Sequence, residues 1–281
     1  VLGHLDKEKA YASLSFIAQL NVDADRYAGI YQSQHGSHRP IIPLSPTRPV
    51  AIDIRGRTIH RHFKSAIRDA AHATPLLIRM QSRFGWSDTL PDLIDWDAHR
   101  LATSGAHRNR QFHFVKLCHG YLPAGRIAHR NNPSYPDTCP LCKAPDEEHQ
   151  HILQCPDPSR KLWRDDLIKK LSNLCDTLHT DPILSSILTN GLRSWFHLQP
   201  FDISHYPTDY HQLLTDQRTI GWYHLSLGQM STQWAILQQS HLHSHNIKIK
   251  GITGSNWTKT ICTTIMTQWL TLWDKDRKSV V

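Results

Sequence analysis

Several protein classes are excluded by residues and patterns that this sequence lacks. Six cysteines among 281 residues are too few for a small scaffold held together by disulfides. No apolar run approaches the length of about 18 residues that a membrane-spanning helix needs, so we expect no membrane partner. The chain begins at Val1 without a charged and then apolar signal segment. We therefore expect a piece of a longer polypeptide, or a processed product. The isolated cysteines favour a reducing compartment, so we expect the chain to be intracellular, cytoplasmic or nuclear, and not secreted.

Acidic residues are also scarce in relation to basic ones. The 24 Asp and Glu residues stand against 32 Lys and Arg residues, which leaves a net charge of +8. The 21 histidines add positive charge below neutral pH. This balance favours a nucleic-acid partner, either RNA or DNA. Apolar residues make up 39% of the chain, a share that excludes a disordered protein.

One long stretch contains no acidic residue at all. It lies between Asp97 and Asp137, and its cations predict a surface that can lie along a phosphate backbone. The helix expected from Arg108 is largely apolar, so a buried helix whose cations reach solvent at its edge is an equal alternative. The candidate nucleic-acid-binding residues are Arg100, Arg108, Arg110, Lys116, Arg126 and Arg130.

The segment CPLCKAPDEEHQHILQC has the spacing of a metal site. Its first two cysteines, Cys139 and Cys142, form a Cys-x-x-Cys pair that offers two thiolates from one tight turn. His151 lies four residues before Cys155, and this spacing places both side chains on one face of a helical turn. The pattern predicts one Zn²⁺ ion bound by these four residues. His149 is the alternative histidine, although it lies two residues away from that spacing.

Four protein ligands leave no open position on a zinc ion, so the predicted site is structural and not hydrolytic. Glu147 and Glu148 are either hydrogen-bond acceptors for the ligands or solvated side chains. A coincidental cluster in a loop is the alternative to a metal site. The other three cysteines, Cys118, Cys175 and Cys262, stand in apolar runs and are predicted to be buried.

The sequence around this segment resembles a known family. A helix with basic and aromatic residues at 112–119 is followed by Leu122-Pro123, by the cysteine segment and by Trp163. This order resembles the zinc-binding region found downstream of reverse transcriptase in retrotransposon polyproteins. The resemblance implies that reverse transcriptase and ribonuclease H domains of the same polyprotein lie upstream and are partners of this chain.

The beginning of the chain resembles the closing segment of a ribonuclease H domain. Gly3-His4 and the stretch NVDADRYA, which starts at Asn21, fall on that family's pattern. The resemblance implies that His4 handles protons and that Asp25 is a ligand for catalytic Mg²⁺ in the intact parent site. Two-metal hydrolysis needs several converging carboxylates, and the resemblance implies that the others lie upstream. We therefore expect the parent polyprotein to be catalytic and this chain alone not to be.

The remaining patterns predict a mainly α protein, with a small zinc-stapled loop-helix segment and a few short N-terminal strands. Alternating apolar residues from Val50 predict a hairpin or edge strand, and Thr74-Pro75 predicts the start of a new helix. After Cys155, apolar stripes at helical spacing predict a run of helices anchored by tryptophans. The expected divisions are a ribonuclease H remnant at 1–35, a linker with a short hairpin and helices at 36–92, a zinc-binding helical region at 93–165 and a C-terminal helical domain at 166–281.

Two functions of different classes fit these patterns. The first is the C-terminal fragment of a retroelement polyprotein, with a structural zinc site and nucleic-acid association. The second is a zinc-stabilised helical domain that binds protein or has a structural role, without any nucleic-acid role. An independent enzyme would need a Gly-rich phosphate loop, a nucleophile elbow or an open zinc site, and the sequence contains no such motif.

Overall fold

The computed structural model describes residues 10–35, 53–54, 57–59, 62–247 and 251–278. These residues are mainly α-helical, as the sequence predicts. The helices in chain order are α1 (Phe16–His35), α2 (Phe63–Phe84), α3 (Leu90–Leu93), α4 (Trp96–Ser104), α5 (Arg108–Cys118), α6 (Gly125–Asn131), α7 (His149–Gln154), α8 (Pro158–Thr177), α9 (Pro182–Phe196), α10 (His211–Ile220), α11 (Trp222–Ser226), α12 (Thr232–Ser244) and α13 (Gly254–Lys278).

The chain divides into two compact units, residues 1–73 and 74–281. The four divisions expected from the sequence are finer than this and stay predictions. In the first unit, α1 buries little of its apolar surface, since Phe16 and Ile17 are both more than 70% exposed. The strands β1 (Asp53–Ile54) and β2 (Arg57–Thr58) form a short antiparallel pair. The predicted set of a few N-terminal strands is not confirmed beyond this ladder in the described part of the unit.

The helix α2 differs from its prediction. Thr74-Pro75 was expected to begin a new helix, but α2 continues through Pro75 as one element. Proline has no N–H for the helical ladder, and its ring crowds the preceding turn. Apolar and basic residues recur at helical spacing on both sides of Pro75, a longer pattern that the local rule for proline did not take into account.

The main core of the second unit is an apolar cluster to which α4, α5 and α7–α13 contribute. A smaller cluster in the same unit contains Met80, Trp86, Leu90, Ile94 and Ile220. The helix α13 lies at the centre of the main core and packs against α4, α8 and α12. Its apolar seam, predicted from the sequence, is buried along its whole length, and Trp257 stacks on Trp234 of α12 with ring centroids 5.9 Å apart. The seam consists of Trp257, Ile261, Ile265, Trp269 and Trp273.

Side-chain caps begin several of these helices at residues whose types favour that position. Asp181 accepts a hydrogen bond from the Ile183 N–H at 2.8 Å and begins α9, with Pro182 in the first turn. Ser231 accepts from the Gln233 N–H at 3.1 Å and begins α12. The cysteines outside the metal segment are buried, as predicted. No helix in the described part of the chain combines the length and the apolar character needed to cross a bilayer.

Candidate metal centre

The four residues predicted as metal ligands lie together. The ligand atoms of Cys139, Cys142, His151 and Cys155 all lie within 4.8 Å of one another. The sulfur atoms of Cys139 and Cys155 are 3.8 Å apart, and the Cys142 sulfur lies 3.2 Å from His151 Nε2. Among the residues that the structure describes, this is the group of at least three His, Cys, Asp or Glu side chains that could hold a metal ion.

A tight turn presents the first two cysteines. The Cys139 N–H donates to the Ala144 carbonyl at 2.8 Å, and the Lys143 N–H donates to the Cys139 carbonyl at 3.0 Å. Lys143 has a φ of 63°, in the left-handed region that lets the chain turn back on itself. The turn therefore places the side chains of Cys139 and Cys142 on the same side.

The short helix α7 presents the other two ligands. His151 lies within α7, and Cys155 immediately follows it. Because the two residues are four positions apart in a helical segment, their side chains lie on the same face, toward the turn that carries Cys139 and Cys142. His149 is directed elsewhere, since its Nε2 lies 2.7 Å from the Leu122 carbonyl and its side chain is buried. The geometry therefore selects His151 and not His149 as the histidine of the cluster.

The cluster matches the chemistry of zinc. A tetrahedral site with Zn–S bonds of about 2.3 Å has sulfur atoms about 3.8 Å apart, which agrees with the Cys139–Cys155 separation of 3.8 Å. Three thiols and one imidazole are ligands that zinc prefers in structural sites. The set could hold a metal ion such as zinc, with four ligands from the protein.

The thiols of the cluster differ in their acidity. Burial raises the pKa of Cys139 to about 12. Burial also acts to raise the pKa of Cys142, but the Ala144 backbone and the thiols of Cys155 and Cys139 outweigh it, so that this pKa is lowered. Zinc binds thiolates, so binding to this set displaces protons and weakens in acid.

Two buried charged residues connect the cluster to neighbouring helices. Glu147, only 1% exposed, accepts from the Gly125 N–H at 2.7 Å at the start of α6. Arg164 of α8, also buried, donates to the carbonyls of Leu153 and Cys155 at 3.0 and 2.8 Å, at the end of α7. Glu147 thus holds the start of α6, and the sequence offered no sign of the role of Arg164.

The six predicted nucleic-acid-binding cations are spread over α4, α5 and α6, and half of them are paired. Arg100 pairs with Asp97, Arg110 with Asp274 at 2.6 Å, and Arg126 with Glu148. The other three, Arg108, Lys116 and Arg130, are exposed and have no ion-pair partner within the described ranges. The absence of acids from 98–136 in the sequence therefore does not mean that the cations there are unpaired.

The helix α5, which carries three of these cations, is less buried than its composition suggests. Phe114 and Leu117 are buried, but Phe112 and Val115 are 59% and 57% exposed. The prediction of a mainly buried helix is therefore correct for one face only, because neighbouring helices cover that face alone.

The structure describes one of the two residues assigned to the ribonuclease H site. His4 lies outside the described residues. Asp25 is exposed on α1 and belongs to no group of potential metal ligands in the described part of the chain. Its role as an Mg²⁺ ligand in the intact parent site stays a prediction.

Comparison of the chain with protein-family models, with curated proteins and with solved structures finds no match in any of the three. The arrangement of side chains in the second unit therefore carries the functional inference.

Proposed function

We propose that this chain is the C-terminal part of a retroelement reverse transcriptase and ribonuclease H polyprotein, and that it binds nucleic acid through a helical module stabilised by structural zinc. The observation that carries the proposal is the convergence of Cys139, Cys142, His151 and Cys155 at the spacing typical of that family's zinc-binding region. A closed set of four protein ligands favours a structural role for the metal.

The charge of the chain supports the nucleic-acid part of the proposal. The net charge is +8, and Arg108, Lys116 and Arg130 are exposed without an ion-pair partner among the described residues. Cations of this kind bind phosphates and release the counterions that surround a nucleic acid. RNA or DNA is therefore the partner class that these residues fit, beside the upstream domains of the same polyprotein.

A second candidate is a zinc-stabilised structural or protein-interaction domain without a nucleic-acid role. The observation in its favour is that Arg100, Arg110 and Arg126 are each paired with a carboxylate of this chain. A paired cation has less free-energy gain from a phosphate, because its carboxylate partner must first be displaced.

Metal content and salt dependence test the proposal together. Protein purified without added zinc should contain about one zinc per chain by elemental analysis. Its affinity for an RNA or DNA oligonucleotide should fall with salt at a slope of about −2 in log–log form, if three cations each contribute about −0.7 on a single strand. One bound zinc with no affinity for either nucleic acid would favour the second candidate. No bound zinc would contradict both.

A further inference from the structure

A cavity of about 510 Å³ lies beside the metal centre in the second unit. It is bounded by the end of α2, by the glycine turn after α5, by α6, by the start of α7 and by α11. Its volume is within the range of about 300–1,000 Å³ that is usual for small-ligand sites. Its lining combines three arginines with the aromatic side chains of Phe84, Tyr223 and His224.

Three arginines, Arg83, Arg126 and Arg130, line the cavity against a single carboxylate, Glu148. Glu148 pairs with Arg126, so the charge of the other two guanidinium groups is not neutralised by this acid. Arg130 has no ion-pair partner within the described ranges. The cavity therefore carries net positive charge, and an anion is the ligand that it attracts.

Arg83 is held in place before any ligand binds. One of its guanidinium nitrogens donates to the Gly120 carbonyl at 2.8 Å, and the group lies over the Tyr121 ring at 5.1 Å from its centroid. Gly120 has a φ of 61°, and a Cβ there would lie 2.7 Å from the same guanidinium. The close approach of Arg83 to this turn thus requires glycine. A guanidinium has five N–H donors, so others are available to a phosphate.

Phe84, Tyr223 and His224 form an aromatic wall beside the arginines, with the Arg83 guanidinium 5.8 Å from the Phe84 ring centroid. The rings of Phe84 and Tyr223 lie 5.0 and 5.4 Å from the ring of His224. His224 accepts from Trp86 Nε1 at 3.2 Å, and its Nδ1 lies 2.7 Å from Gln229 Oε1, so both ring nitrogens are engaged. Burial lowers the pKa of His224, which keeps it neutral. This wall suits stacking with a planar group and not proton transfer.

We infer that this cavity binds one nucleotide of a single-stranded nucleic acid, with the phosphate at Arg83 and Arg130 and the base against the wall formed by Phe84 and Tyr223. The inference rests on the proposed function and identifies the part of the module that would bind the strand. Stacking of bases on aromatic rings beside a cationic groove is the usual way to bind single strands without sequence preference. A base inside a duplex is paired and stacked, and cannot enter such a cavity at low cost.

The metal centre contributes to this site through α7. Glu148, His149 and Gln150 line the cavity, and the next residue, His151, belongs to the metal cluster. The four-residue set thus positions one wall of the cavity. A structural metal site beside a binding cavity gives that wall a defined orientation without a large apolar core.

Fluorescence anisotropy with the full chain tests the inference. The probes are a labelled single-stranded oligonucleotide, a labelled duplex of the same sequence and a labelled nucleoside monophosphate. Arg83→Gln should weaken single-strand binding about tenfold, because a charge-assisted hydrogen bond is lost, and should leave duplex binding unchanged. Arg130→Gln should also weaken single-strand binding about tenfold, and should weaken duplex binding less, because Arg130 also contributes to general phosphate binding. Arg193→Gln is the matched control, since Arg193 is exposed on α9 and does not line the cavity. The monophosphate should bind at least about tenfold more weakly than the single strand, because the strand also makes contacts outside the cavity.

The outcomes separate this inference from the proposed function. Equal losses on single strand and duplex, or no difference between Arg130→Gln and Arg193→Gln, would overturn the cavity site and leave general nucleic-acid binding intact. A monophosphate that binds as tightly as the strand would assign the cavity to free nucleotides and overturn the strand site. A wild-type chain that binds none of the three probes would contradict both proposals.

Discussion

The segment from Asp137 to Cys155 and the helices α12 and α13 are held in place by different forces. The first has polar anchors: the Cys139–Cys155 cluster, Glu147 at the start of α6, and Arg164 at the end of α7. The second buries tryptophans and aliphatic side chains along a helix of 25 residues. Both regions contribute to one continuous unit, residues 74–281.

This difference follows from length and composition. A six-residue helix such as α7 cannot form by itself in water, because nucleation costs more than so few hydrogen bonds return. It contributes only Ile152 and Leu153 to the apolar core. A metal ion bound by the four clustered side chains would replace the missing burial. The long helix α13 needs no such constraint, since each turn buries further apolar area.

Removal of one ligand should break the first region most severely. Cys142→Ser is expected to abolish zinc binding and to release α7, since structural zinc in small domains contributes roughly 10–16 kcal/mol in apparent binding free energy. Elemental analysis and amide hydrogen exchange of residues 149–155 measure both effects. Cys175→Ala is the matched control, a buried cysteine of α8 outside the cluster, and should retain the metal. Retained zinc and unchanged exchange in Cys142→Ser would refute the assigned ligand set.

Truncation of a core tryptophan should break the second region and spare the first. Trp234→Ala removes a fully buried side chain that stacks on Trp257 and donates to Gln217 Oε1 at 3.0 Å. We expect the free energy of unfolding to fall by about 3–5 kcal/mol, measured by urea denaturation, with one zinc still bound at low temperature. Trp96→Ala, at a residue that is 40% exposed, should cost less. A loss of zinc in the folded Trp234→Ala chain would show that the two regions are not independently stabilised.

Acid should produce the smallest of these effects on the free energy of unfolding, through histidines of α4 and α11. Burial lowers the pKa of His99 and of His224 from the usual 6.5, so the unfolded chain binds protons that the folded chain does not. Stability is therefore expected to fall as the pH decreases below about 6.5. His224→Gln should reduce the slope of stability against pH. Since loss of zinc in acid acts in the same direction, the informative quantity is the difference in slope between variant and wild type. Identical slopes would contradict a neutral, buried His224.

The ligand set was predictable because its rules are local. Cys-x-x-Cys requires one tight turn, and the spacing of His151 and Cys155 requires one turn of helix, so each pair depends on few residues of chain. The choice between His149 and His151 was harder. It depends on the Leu122 carbonyl, which lies 2.7 Å from His149 Nε2 although the two residues are 27 positions apart in the chain.

The charge pattern shows the limit of local reasoning. No acid lies within 98–136, yet Arg110 pairs with Asp274, 164 residues later, and Arg126 with Glu148. The same limit applies to the cavity. Arg83 lines it together with Arg126 and Arg130, although Arg83 lies outside the cationic stretch of the sequence. Residues far apart in the chain meet only through the packing of helices, which composition does not reveal.

Helical class, helix caps, the tryptophan seam of α13 and the four metal ligands could all be predicted from the order of residues, because turn geometry and the helical period act over a few positions. The continuation of α2 through Pro75, the exposure of Phe112, the anchoring role of Glu147 and the arginine-lined cavity could not. Each of these depends on which surfaces other helices cover, and that coverage is a property of the assembled unit and of no single segment.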